Sequence, residues 1–456
     1  MQKRPYHVAI VGSGPSGYFA AASLLKAADL DDAPDVRVDM LEMLPTPWGL
    51  VRSGVAPDHP KIKSISAQFD KTSGDPRFRF FGNIAVGEHV QADELTERYD
   101  AVVYAVGAQS DRSLGIPGED IPGSVAAVDF VGWYNAHPHF EQMGPDLSTG
   151  RAIVVGNGNV ALDVARILVT DPDVLANTDI ADHALDSLHA RGVEEVVVIG
   201  RRGPLQATFT TLELRELGAL EGLGDVDVIV DPADFAGITD EDLEAAGKTV
   251  KQNIKVLRGY ADREPAGAKR RIVFRFGTSP IEIKGDGHVE SIVLGRNELV
   301  EENGRIVARD TGEREELPAQ LVVRAVGYRG VATPGLPFDE KSGTIPHTDG
   351  RVDGRRNEYV VGWIKRGPSG VIGSNKKDSQ ATVDTLLADL SGAQLADFDA
   401  DHSEELVEWL LSRQPKLVTD DHWRLIDEHE RTAGESAGRP RRKLTSVAEL
   451  LRIGHG

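Results

Sequence analysis

Two glycine-rich turns constrain the fold of this 456-residue chain more than any other feature. The first, GSGPSG, begins at Gly12, follows the apolar run HVAIV and precedes an alanine-rich stretch that is expected to be helical through about Leu25. The second, GNGNVA, begins at Gly156, follows AIVV and precedes VARIL. The apolar residues after this second turn recur at the spacing of one helix face: Val160, Ala161, Val164, Ala165 and Leu168. A strand, a glycine turn and a helix in this order begin a βαβ unit, so the sequence predicts two such units.

The first turn has the G-x-G-x-x-G spacing of a dinucleotide site. Gly12 allows the tight turn, Gly14 lets a pyrophosphate approach the backbone, and Gly17 permits close contact between helix and strand. The phosphates would lie at the helix N-terminus, where unpaired N–H groups and the helix dipole favour negative charge. The next strand, RVDMLE, ends in Glu42, whose carboxylate can accept hydrogen bonds from ribose hydroxyls and would repel a 2′-phosphate. The alternative is a glycine turn that binds no ligand.

The second turn has the spacing G-x-G-x-x-A, formed by Gly156, Gly158 and Ala161. Its second strand, EVVVIG, is followed by Arg201 and Arg202 instead of an acid. Guanidinium groups match phosphate oxygens, so this end suits a 2′-phosphate and therefore NADP. The alternative is that both arginines only form a solvated strand end.

The unlike ribose ends of the two turns imply two different dinucleotides. The acidic first site suits FAD, and the second site, with its arginines, suits NADPH. A flavin beside a nicotinamide means hydride transfer to the flavin ring, with the protein aligning the two rings and excluding water. The sequence therefore predicts a flavoenzyme that takes hydride from NADPH.

The rest of the chain contains short strands and a helical C-terminal part. Between about residues 250 and 328, the strands IVFRF, PIEIK, ESIVLG and LVVRAVG are separated by turn residues, which predicts an antiparallel layer attached to the second unit. EYVVGW is expected to be a further buried strand, followed by a helix capped by Ser374 or Asn375. The spacing of the apolar residues further on predicts a later helix with one apolar stripe, formed by Leu406, Val407, Leu410 and Leu411. The segment VAELLRI predicts another helix.

Composition excludes several classes of function. The chain has no cysteine, which excludes thiolate metal sites, cysteine-ligated iron–sulfur clusters and a redox-active dithiol, and no metal site is predicted. The formal net charge of −21 argues against nucleic acid and anionic membrane as partners. No apolar run approaches the ~20 residues that span a bilayer. MQKRPY leads directly into the first strand, so no leader segment and a cytoplasmic location are expected.

Four long motifs resemble those of adrenodoxin reductase, and more closely those of the actinobacterial NADPH–ferredoxin reductases of that type: PTPWGLVRSGVAPDHPKIK, GNGNVALDVARIL, GRRGPLQATFTTLELREL and GWIKRGPSGVIGSNK. The resemblance runs nearly from end to end. It implies an α/β fold with two Rossmann-like dinucleotide-binding domains of the glutathione-reductase-like flavoprotein type. The expected domains are a discontinuous FAD-binding domain, residues 1–108 and 328–456, and an NADP-binding domain, residues 109–327.

The resemblance also implies site residues. Around FAD these are Ser16, Glu42, Leu50, Val86, Trp363, Gly370, Val371 and Ile372. Of these, Trp363 and residues 370–372 would lie near the isoalloxazine. Around NADP they are Arg112, Asn157, Gly158, Asn159, Val160, Arg201, Arg202, Glu213 and Gly370. His59 and Glu216 would lie near the nicotinamide–flavin contact and assist proton handling. The residues themselves leave alternatives open: His59 as a hydrogen-bonding group in a rigid loop, Glu216 on a solvated helix face, and Trp363 as a core aromatic.

A one-electron carrier is the expected acceptor, because a flavin can accept two electrons as hydride and release them one at a time. That this carrier is a ferredoxin is implied only by the resemblance. Ferredoxins are usually acidic, so a chain of charge −21 needs a basic docking face. There are two candidate clusters for this face: Lys365, Arg366, Lys376 and Lys377 form the first, and Arg439, Arg441, Arg442 and Lys443 form the second. The alternative is that these residues are ordinary surface charges.

Two other functions remain open from the residues alone. One is a flavin-dependent monooxygenase that takes its reducing power from NADPH. The other is a dinucleotide-binding module without catalytic activity.

Overall fold

The computed structural model describes the chain except for residues 1–3, 31–33, 223–225, 371, 394, 396–397 and 400. The chain divides into two compact units: Met1–Ser110 with Tyr328–Gly456, and Asp111–Gly327. The first unit is therefore assembled from two separate stretches, and the second from one continuous stretch. The sequence led us to expect changes of domain after 108 and 327, and the units change after 110 and 327.

The elements are numbered in chain order. The strands are β1 (Tyr6–Val11), β2 (Val36–Leu41), β3 (Phe78–Gly82), β4 (Ala101–Tyr104), β5 (Ser110–Asp111), β6 (Ser124–Ala126), β7 (Arg151–Val155), β8 (Glu195–Gly200), β9 (Val226–Ile229), β10 (Arg270–Phe276), β11 (Thr278–Lys284), β12 (Ser291–Glu302), β13 (Arg305–Pro318), β14 (Leu321–Arg324), β15 (Tyr328–Arg329), β16 (His347–Thr348), β17 (Arg351–Val352), β18 (Glu358–Val360) and β19 (Val418–Thr419). The helices are α1 (Pro15–Ala28), α2 (Leu50–Ser53), α3 (Pro60–Lys63), α4 (Ser66–Ser73), α5 (Ala92–Arg98), α6 (Ala127–Tyr134), α7 (Asn159–Val169), α8 (Pro172–Leu175), α9 (Asp182–His189), α10 (Thr211–Gly222), α11 (Asp240–Ala245), α12 (Lys248–Ala261), α13 (Trp363–Arg366), α14 (Ile372–Gly392), α15 (His402–Arg413), α16 (Asp420–Ser436) and α17 (Val447–His455).

The first unit is built around one sheet in the order β16-β17-β18-β4-β1-β2-β3-β19. The five strands from β18 to β3 are parallel, whereas β19 and the β16–β17 edge are antiparallel to their neighbours. Val8 and Ile10 face a core that includes side chains of α1 and α14. Ala9 and Val11 face the opposite core, which includes side chains of α5 and α15. Burial on both faces explains the continuous apolar run of β1, as expected for a central parallel strand.

The second unit has a parallel sheet in the order β6-β14-β7-β8-β10-β9. Ala152 and Val154 face a core that includes side chains of α7, α10 and α12. Ile153 and Val155 face the other core, which includes side chains of β11 and β12. The parallel sheet is therefore covered by helices on one face and by a three-stranded antiparallel sheet, β11-β12-β13, on the other.

The prediction of one antiparallel layer between residues 250 and 328 is wrong for two of its four strands. IVFRF lies in β10 and LVVR forms β14, and both pair in parallel within the six-stranded sheet. PIEIK and ESIVLG do form antiparallel strands, and their third partner is β13, which was not predicted. The side chains of β13 are almost all exposed, so its sequence has no apolar alternation to indicate a strand.

The predicted helices are present, with shifts at their ends. Helix α14 begins at Ile372, before the expected caps Ser374 and Asn375. Leu406 and Leu410 are buried as predicted for α15, whereas Leu411 is exposed. Among the described residues, no helix combines the length and the apolar character that a membrane crossing requires.

Candidate functional site

The first glycine turn has the shape that the spacing predicts. Gly12 has a φ of +106°, and a Cβ atom there would lie 2.5 Å from the carbonyl oxygen of Ala105, so only glycine fits. In front of Gly14 the space is open, since a Cβ there would meet no described heavy atom within 4 Å. Helix α1 begins directly after this residue at Pro15, and no side chain caps it. The turn therefore offers an open helix N-terminus, the arrangement that binds a pyrophosphate.

Glu42 follows β2 and is hydrogen-bonded to the glycine turn. Its Oε2 accepts hydrogen bonds from the backbone N–H of Ser13 (2.9 Å) and from Ser13 Oγ (2.6 Å), and its Oε1 accepts one from the N–H of Leu44 (3.0 Å). The carboxyl is buried, with only 8% of the residue exposed. An ionised carboxylate has about four acceptor positions, so these bonds leave capacity for a ribose hydroxyl.

The segment that starts at Trp48 packs against the same turn. The N–H of Trp48 donates to the carbonyl oxygen of Ser13 (3.1 Å), and a Cβ at Gly49 would lie 3.0 Å from Gly14 Cα. Trp48 has a φ of +83°, a backbone conformation that residues other than glycine adopt only at a cost in free energy. Leu50 begins α2 immediately afterwards and is half-buried. The structure thus brings Leu50 close to the first glycine turn.

Two segments from the second stretch of the chain complete this site. A Cβ at Gly362 would lie 2.2 Å from Ser16 Oγ, and Ser379 Oγ of α14 donates to the Ser16 carbonyl oxygen (2.9 Å). Trp363, which begins α13, therefore lies close to the start of α1. Its ring also contacts the Tyr328 ring, with centroids 5.5 Å apart.

Three buried indole N–H groups of this unit lack an acceptor among the described residues, and two of them belong to segments that pack near the first glycine turn. Trp48 Nε1 and Trp363 Nε1 have no hydrogen-bond acceptor in the described part of the chain. An unpaired buried donor costs free energy, so an acceptor is expected to be supplied from outside the chain. Together with the open space at Gly14, this fits a ligand that carries both phosphates and ring acceptors.

The remaining residues expected at the first site are placed as follows. The N–H of Ile84 donates to the carbonyl oxygen of Glu42 (2.9 Å). Val86 follows Ile84 by two positions, so its backbone lies close to the segment that carries Glu42. Gly370 is exposed with a φ of +82°, and Ile372 is the first residue of α14. Val371 lies outside the described residues. Gly370 therefore lies shortly before the first turn of α14.

The second glycine turn repeats the geometry of the first. Gly156 has a φ of +135°, and a Cβ there would lie 2.2 Å from the Ala325 carbonyl oxygen. The carbonyl oxygen of Asn157 accepts from the N–H of Thr208 (3.1 Å), and Asn159 Oδ1 accepts from the N–H of Thr210 (2.7 Å). Helix α7 begins after Gly158, so Asn159 and Val160 form its first turn. These bonds attach the loop after the arginines to the glycine turn.

Arg201 and Arg202 follow β8 as a free pair of cations. Arg201 is exposed and Arg202 half-buried, and neither guanidinium has a carboxylate partner among the residues that the structure describes. Their backbone is held instead: the carbonyl oxygen of Arg201 accepts from Asn297 Nδ2 (2.9 Å), and that of Arg202 accepts from the N–H of Gly277 (3.1 Å). In a chain of net charge −21, two adjacent arginines without a carboxylate partner in the described residues have the chemistry that suits an external anion.

Glu213 and Glu216 both lie beside a buried arginine that the sequence analysis missed. Arg166, on α7, is 3% exposed at its side chain, and its Nη1 is 3.7 Å from Glu213 Oε2 and 3.5 Å from Glu216 Oε2. Its Nη2 is 2.8 Å from Asp163 Oδ1. Glu216 lies on the helix α10, is half-buried and takes part in this ion cluster, so its helix face is only partly solvated.

His59 and Arg112 belong to different units. His59 is buried in the first unit and directly precedes the short helix α3, where its carbonyl oxygen accepts from the N–H of Ile62 (3.1 Å). Arg112 is exposed in the second unit, and its backbone N–H donates to the Gly327 carbonyl oxygen (3.0 Å). In the described part of the chain, no hydrogen bond or ion pair joins Arg112 to the second glycine turn.

Most of the cations considered for docking are already paired within the first unit. Lys365 Nζ lies 2.8 Å from Asp378 Oδ1, and Arg366 bonds to Ser369 and Asn375. In the C-terminal cluster, Arg439 and Lys443 are buried, and Arg441 is paired with Asp427 and Glu430. The exposed members of the two clusters are Lys376, Lys377 and Arg442.

A buried charge network behind the Trp48 segment also escaped the sequence analysis. Glu430 is 0% exposed, and its carboxylate accepts two bonds from Arg52 (2.8 and 2.5 Å), one from Arg441 (3.1 Å) and one from the N–H of Leu444 (2.9 Å). Arg52 and Glu430 are 378 positions apart, so no local sequence signal connects them.

Comparisons with known proteins agree with this geometry. Residues 6–216 match the family model described as pyridine nucleotide-disulphide oxidoreductase. The chain is 73% identical over 458 residues to "NADPH-ferredoxin reductase FprA" of Mycobacterium tuberculosis (strain ATCC 25618 / H37Rv), covering 99% of this chain and 100% of the relative. It is 39% identical over 459 residues to "NADPH:adrenodoxin oxidoreductase, mitochondrial" of Salvelinus fontinalis, covering 98% and 90%. The solved structure of Mycobacterium tuberculosis FprA in complex with NADPH superposes with a TM-score of 0.97 at 73% identity, covering 99% of this chain and 100% of that one.

Proposed function

The chain belongs to the adrenodoxin-reductase-type NADPH–ferredoxin reductases, and we infer that it transfers electrons from NADPH through FAD to a ferredoxin-type iron–sulfur protein. The observation that carries this inference is 73% identity over 99% of the chain to a reductase of that name. The resemblance and the fold class expected from the motifs are thereby confirmed. The roles of single residues are proposals, supported by the geometry of each unit.

We propose that FAD lies in the first unit. Bound there, FAD would supply the conversion between a two-electron hydride donor and a one-electron acceptor. The open helix N-terminus at Gly14 would hold the pyrophosphate, Glu42 the ribose, and the Trp363 segment the ring end. The unpaired indole N–H groups of Trp48 and Trp363 support this placement, because a flavin dinucleotide offers several acceptors. Ser16, Leu50, Val86, Gly370, Val371 and Ile372 remain candidates for further contacts.

NADPH is proposed to lie in the second unit. The turn from Asn157 to Val160 would receive its pyrophosphate, while Arg201 and Arg202 would bind the 2′-phosphate. The absence of a carboxylate partner for either arginine among the described residues supports this role. Glu213 and Arg112 remain candidates for further contacts.

His59 and Glu216 remain proposals for proton handling. Hydride transfer itself requires neither an acid nor a base, so these groups would act on protons that follow the electrons. We also propose that an acidic acceptor docks near the exposed Lys376 and Lys377, by charge complementarity. The net charge of −21 argues against a nucleic acid as a partner, because the chain and the phosphate backbone would repel each other. The cytoplasm is the proposed location, since the enzyme and its NADPH must share a compartment.

Stopped-flow mixing tests the proposed function. We expect a yellow protein that loses its flavin absorption when mixed with NADPH and regains it when an oxidised ferredoxin is added. A protein that stays colourless when supplied with FAD would overturn the proposal and favour a binding module. Oxidation of NADPH that depends on an organic substrate, with incorporation of oxygen, would indicate a monooxygenase instead.

Replacing Glu42 with alanine is expected to weaken FAD binding by about 10- to 100-fold, because hydrogen bonds to a charged group contribute about 1.5–3 kcal/mol. The change would also release the N–H groups of Ser13 and Leu44. The measurement is the flavin-to-protein ratio after dialysis, together with a titration of the apoprotein with FAD. Replacing Glu88, an exposed acid of the same unit, with alanine is the matched control. Full flavin occupancy in E42A would remove Glu42 from the site.

A further inference from the structure

The antiparallel sheet β11-β12-β13 contributes no glycine turn and no charged site residue, yet it contacts the turn that carries the two arginines. The contact is made by Asn297, a polar residue of β12 that is only 9% exposed. It lies at a break in the β12–β13 pairing, where the register shifts between Gly295 and Asn297. Irregularities of this kind redirect a side chain, so the position of Asn297 calls for a specific explanation.

The side-chain amide of Asn297 donates two hydrogen bonds. One runs from Nδ2 to the carbonyl oxygen of Arg201 (2.9 Å), and the other from Nδ2 to Ser279 Oγ (2.8 Å). The backbone of the same residue donates to the carbonyl oxygen of Gly277 (2.7 Å), and the N–H of Gly277 donates to the carbonyl oxygen of Arg202 (3.1 Å). Consecutive carbonyl groups of the arginine turn are therefore fixed by β12 and by the residue before β11.

A third contact continues the series. Leu299 lies two positions after Asn297 and so points to the same face of β12. Its Cδ1 would be 3.1 Å from a Cβ placed on Gly203, the residue after the arginines. The carbonyl oxygen of Arg201 is thus bonded by β12 and that of Arg202 by the residue before β11, while Gly203 lies beside Leu299. The two arginine side chains themselves have no carboxylate partner in the described residues.

We propose that Asn297 is a positioning residue that sets the preference for NADPH over NADH. By fixing the Arg201 carbonyl, it fixes the direction in which the two guanidinium groups leave the backbone, so that they meet a 2′-phosphate without first being ordered. Long flexible cations lose less free energy on binding when their backbone is already held in place. This proposal rests on the proposed function, in which Arg201 and Arg202 bind the 2′-phosphate.

The test compares N297A with the unchanged holoenzyme, using NADPH and NADH in turn with an artificial electron acceptor. We expect the KM for NADPH to rise about 5- to 10-fold, equivalent to about 1.0–1.4 kcal/mol at about 1.4 kcal/mol per tenfold change. The KM for NADH, which lacks the 2′-phosphate, should change by less than about 2-fold, and kcat should be unchanged with either. A merely structural role would instead impair both coenzymes alike. Equal changes for both would overturn the proposal.

S279A is the matched control, because it removes the other partner of the Asn297 amide and leaves the bond to Arg201. It should keep the selectivity of the unchanged enzyme, and a loss as large as in N297A would contradict the proposal. If N297A does not fold, N297S gives the same measurement, since a serine hydroxyl is too short to reach the Arg201 carbonyl. The variant R201Q/R202Q separates the two levels of inference. If it retains selectivity, the 2′-phosphate assignment is wrong; if it loses selectivity while N297A does not, only the role of Asn297 is wrong.

Discussion

Replacing both Arg201 and Arg202 with glutamine is expected to raise the KM for NADPH by about 10- to 100-fold or more, and that for NADH by less than about 2-fold. Each guanidinium can form charge-assisted hydrogen bonds to the 2′-phosphate, and such bonds contribute about 1.5–3 kcal/mol each. Neither arginine has a carboxylate partner in the described structure, so neutralising them breaks no internal ion pair. The loss should therefore appear in coenzyme binding and not in protein stability.

Steady-state kinetics with both coenzymes, and thermal unfolding of the same samples, test this prediction. The variant should show a lower preference for NADPH with an unchanged unfolding temperature. Because surface charges attract NADPH at a distance, the assay is run at two ionic strengths. Arg215, an exposed arginine on α10 of the same unit, is the matched control, and R215Q should keep the preference. Equal changes for NADPH and NADH would show that the pair does not recognise the 2′-phosphate.

Replacing Glu430 with glutamine is expected to lower the free energy of unfolding of the first unit by about 3–5 kcal/mol, the usual cost of leaving a buried charge without its partner. The carboxylate is 0% exposed and compensates the charges of both Arg52 and Arg441. The Arg52 guanidinium also stacks over the Trp423 ring at 5.5 Å, and Trp423 contacts Trp48 with centroids 5.2 Å apart. Denaturant unfolding followed by tryptophan fluorescence measures the change.

The pH dependence of this effect has a definite sign. Burial alone raises the pKa of Glu430, but the pKa is held below its usual value because Arg52, Arg441 and the N–H of Leu444 stabilise the carboxylate. A lowered pKa contributes stability above the unfolded value of about 4.3, and this contribution is lost as the pH falls through the folded value. The difference between the unchanged protein and E430Q should therefore be largest near neutral pH and shrink below about pH 4. A difference that does not depend on pH would contradict the ionised pair.

A further variant separates charge from packing at the same place. R52M/E430M removes both charged partners of the closest pair and keeps comparable volume, so it should recover part of the stability that E430Q loses. Asp427, which is partly exposed and also pairs with Arg441, provides the control. D427N should cost less than E430Q, because the Asp427 side chain is 20% exposed whereas that of Glu430 is fully buried. If D427N costs as much as E430Q, burial is not what makes Glu430 important.

The sequence predicted those parts of the fold that have a local pattern. The two glycine turns lie between a strand and a helix because glycine spacing and apolar periodicity act over about 20 residues. The pairing of β10 and β14 was predicted wrongly, because the sequence of a short apolar strand does not indicate whether the neighbouring strands are parallel or antiparallel to it. Strand β13 was missed because its side chains are exposed, and what holds it is backbone pairing to β12.

The site follows the same division. Glu42 and the arginine pair were found because each stands at a fixed distance from a glycine turn. Arg166, Asn297 and Glu430 were not found, since each acts through a contact that only the folded chain creates. The sequence also did not reveal that Lys365 and Arg366 have internal partners, and so the basic face available to an acceptor is smaller than expected.

The division of the first unit into two stretches has a consequence for biosynthesis. Residues 111–327 leave the ribosome as one continuous piece and can complete their sheet while translation continues at ~5–20 residues per second. The amino-terminal strands emerge earlier but remain without β18, which pairs with β4, and without Glu430, which neutralises Arg52, until nearly the whole chain has been made. The unit that begins the polypeptide is therefore expected to mature last, and stable binding of the FAD proposed to lie there is expected to be a post-translational event.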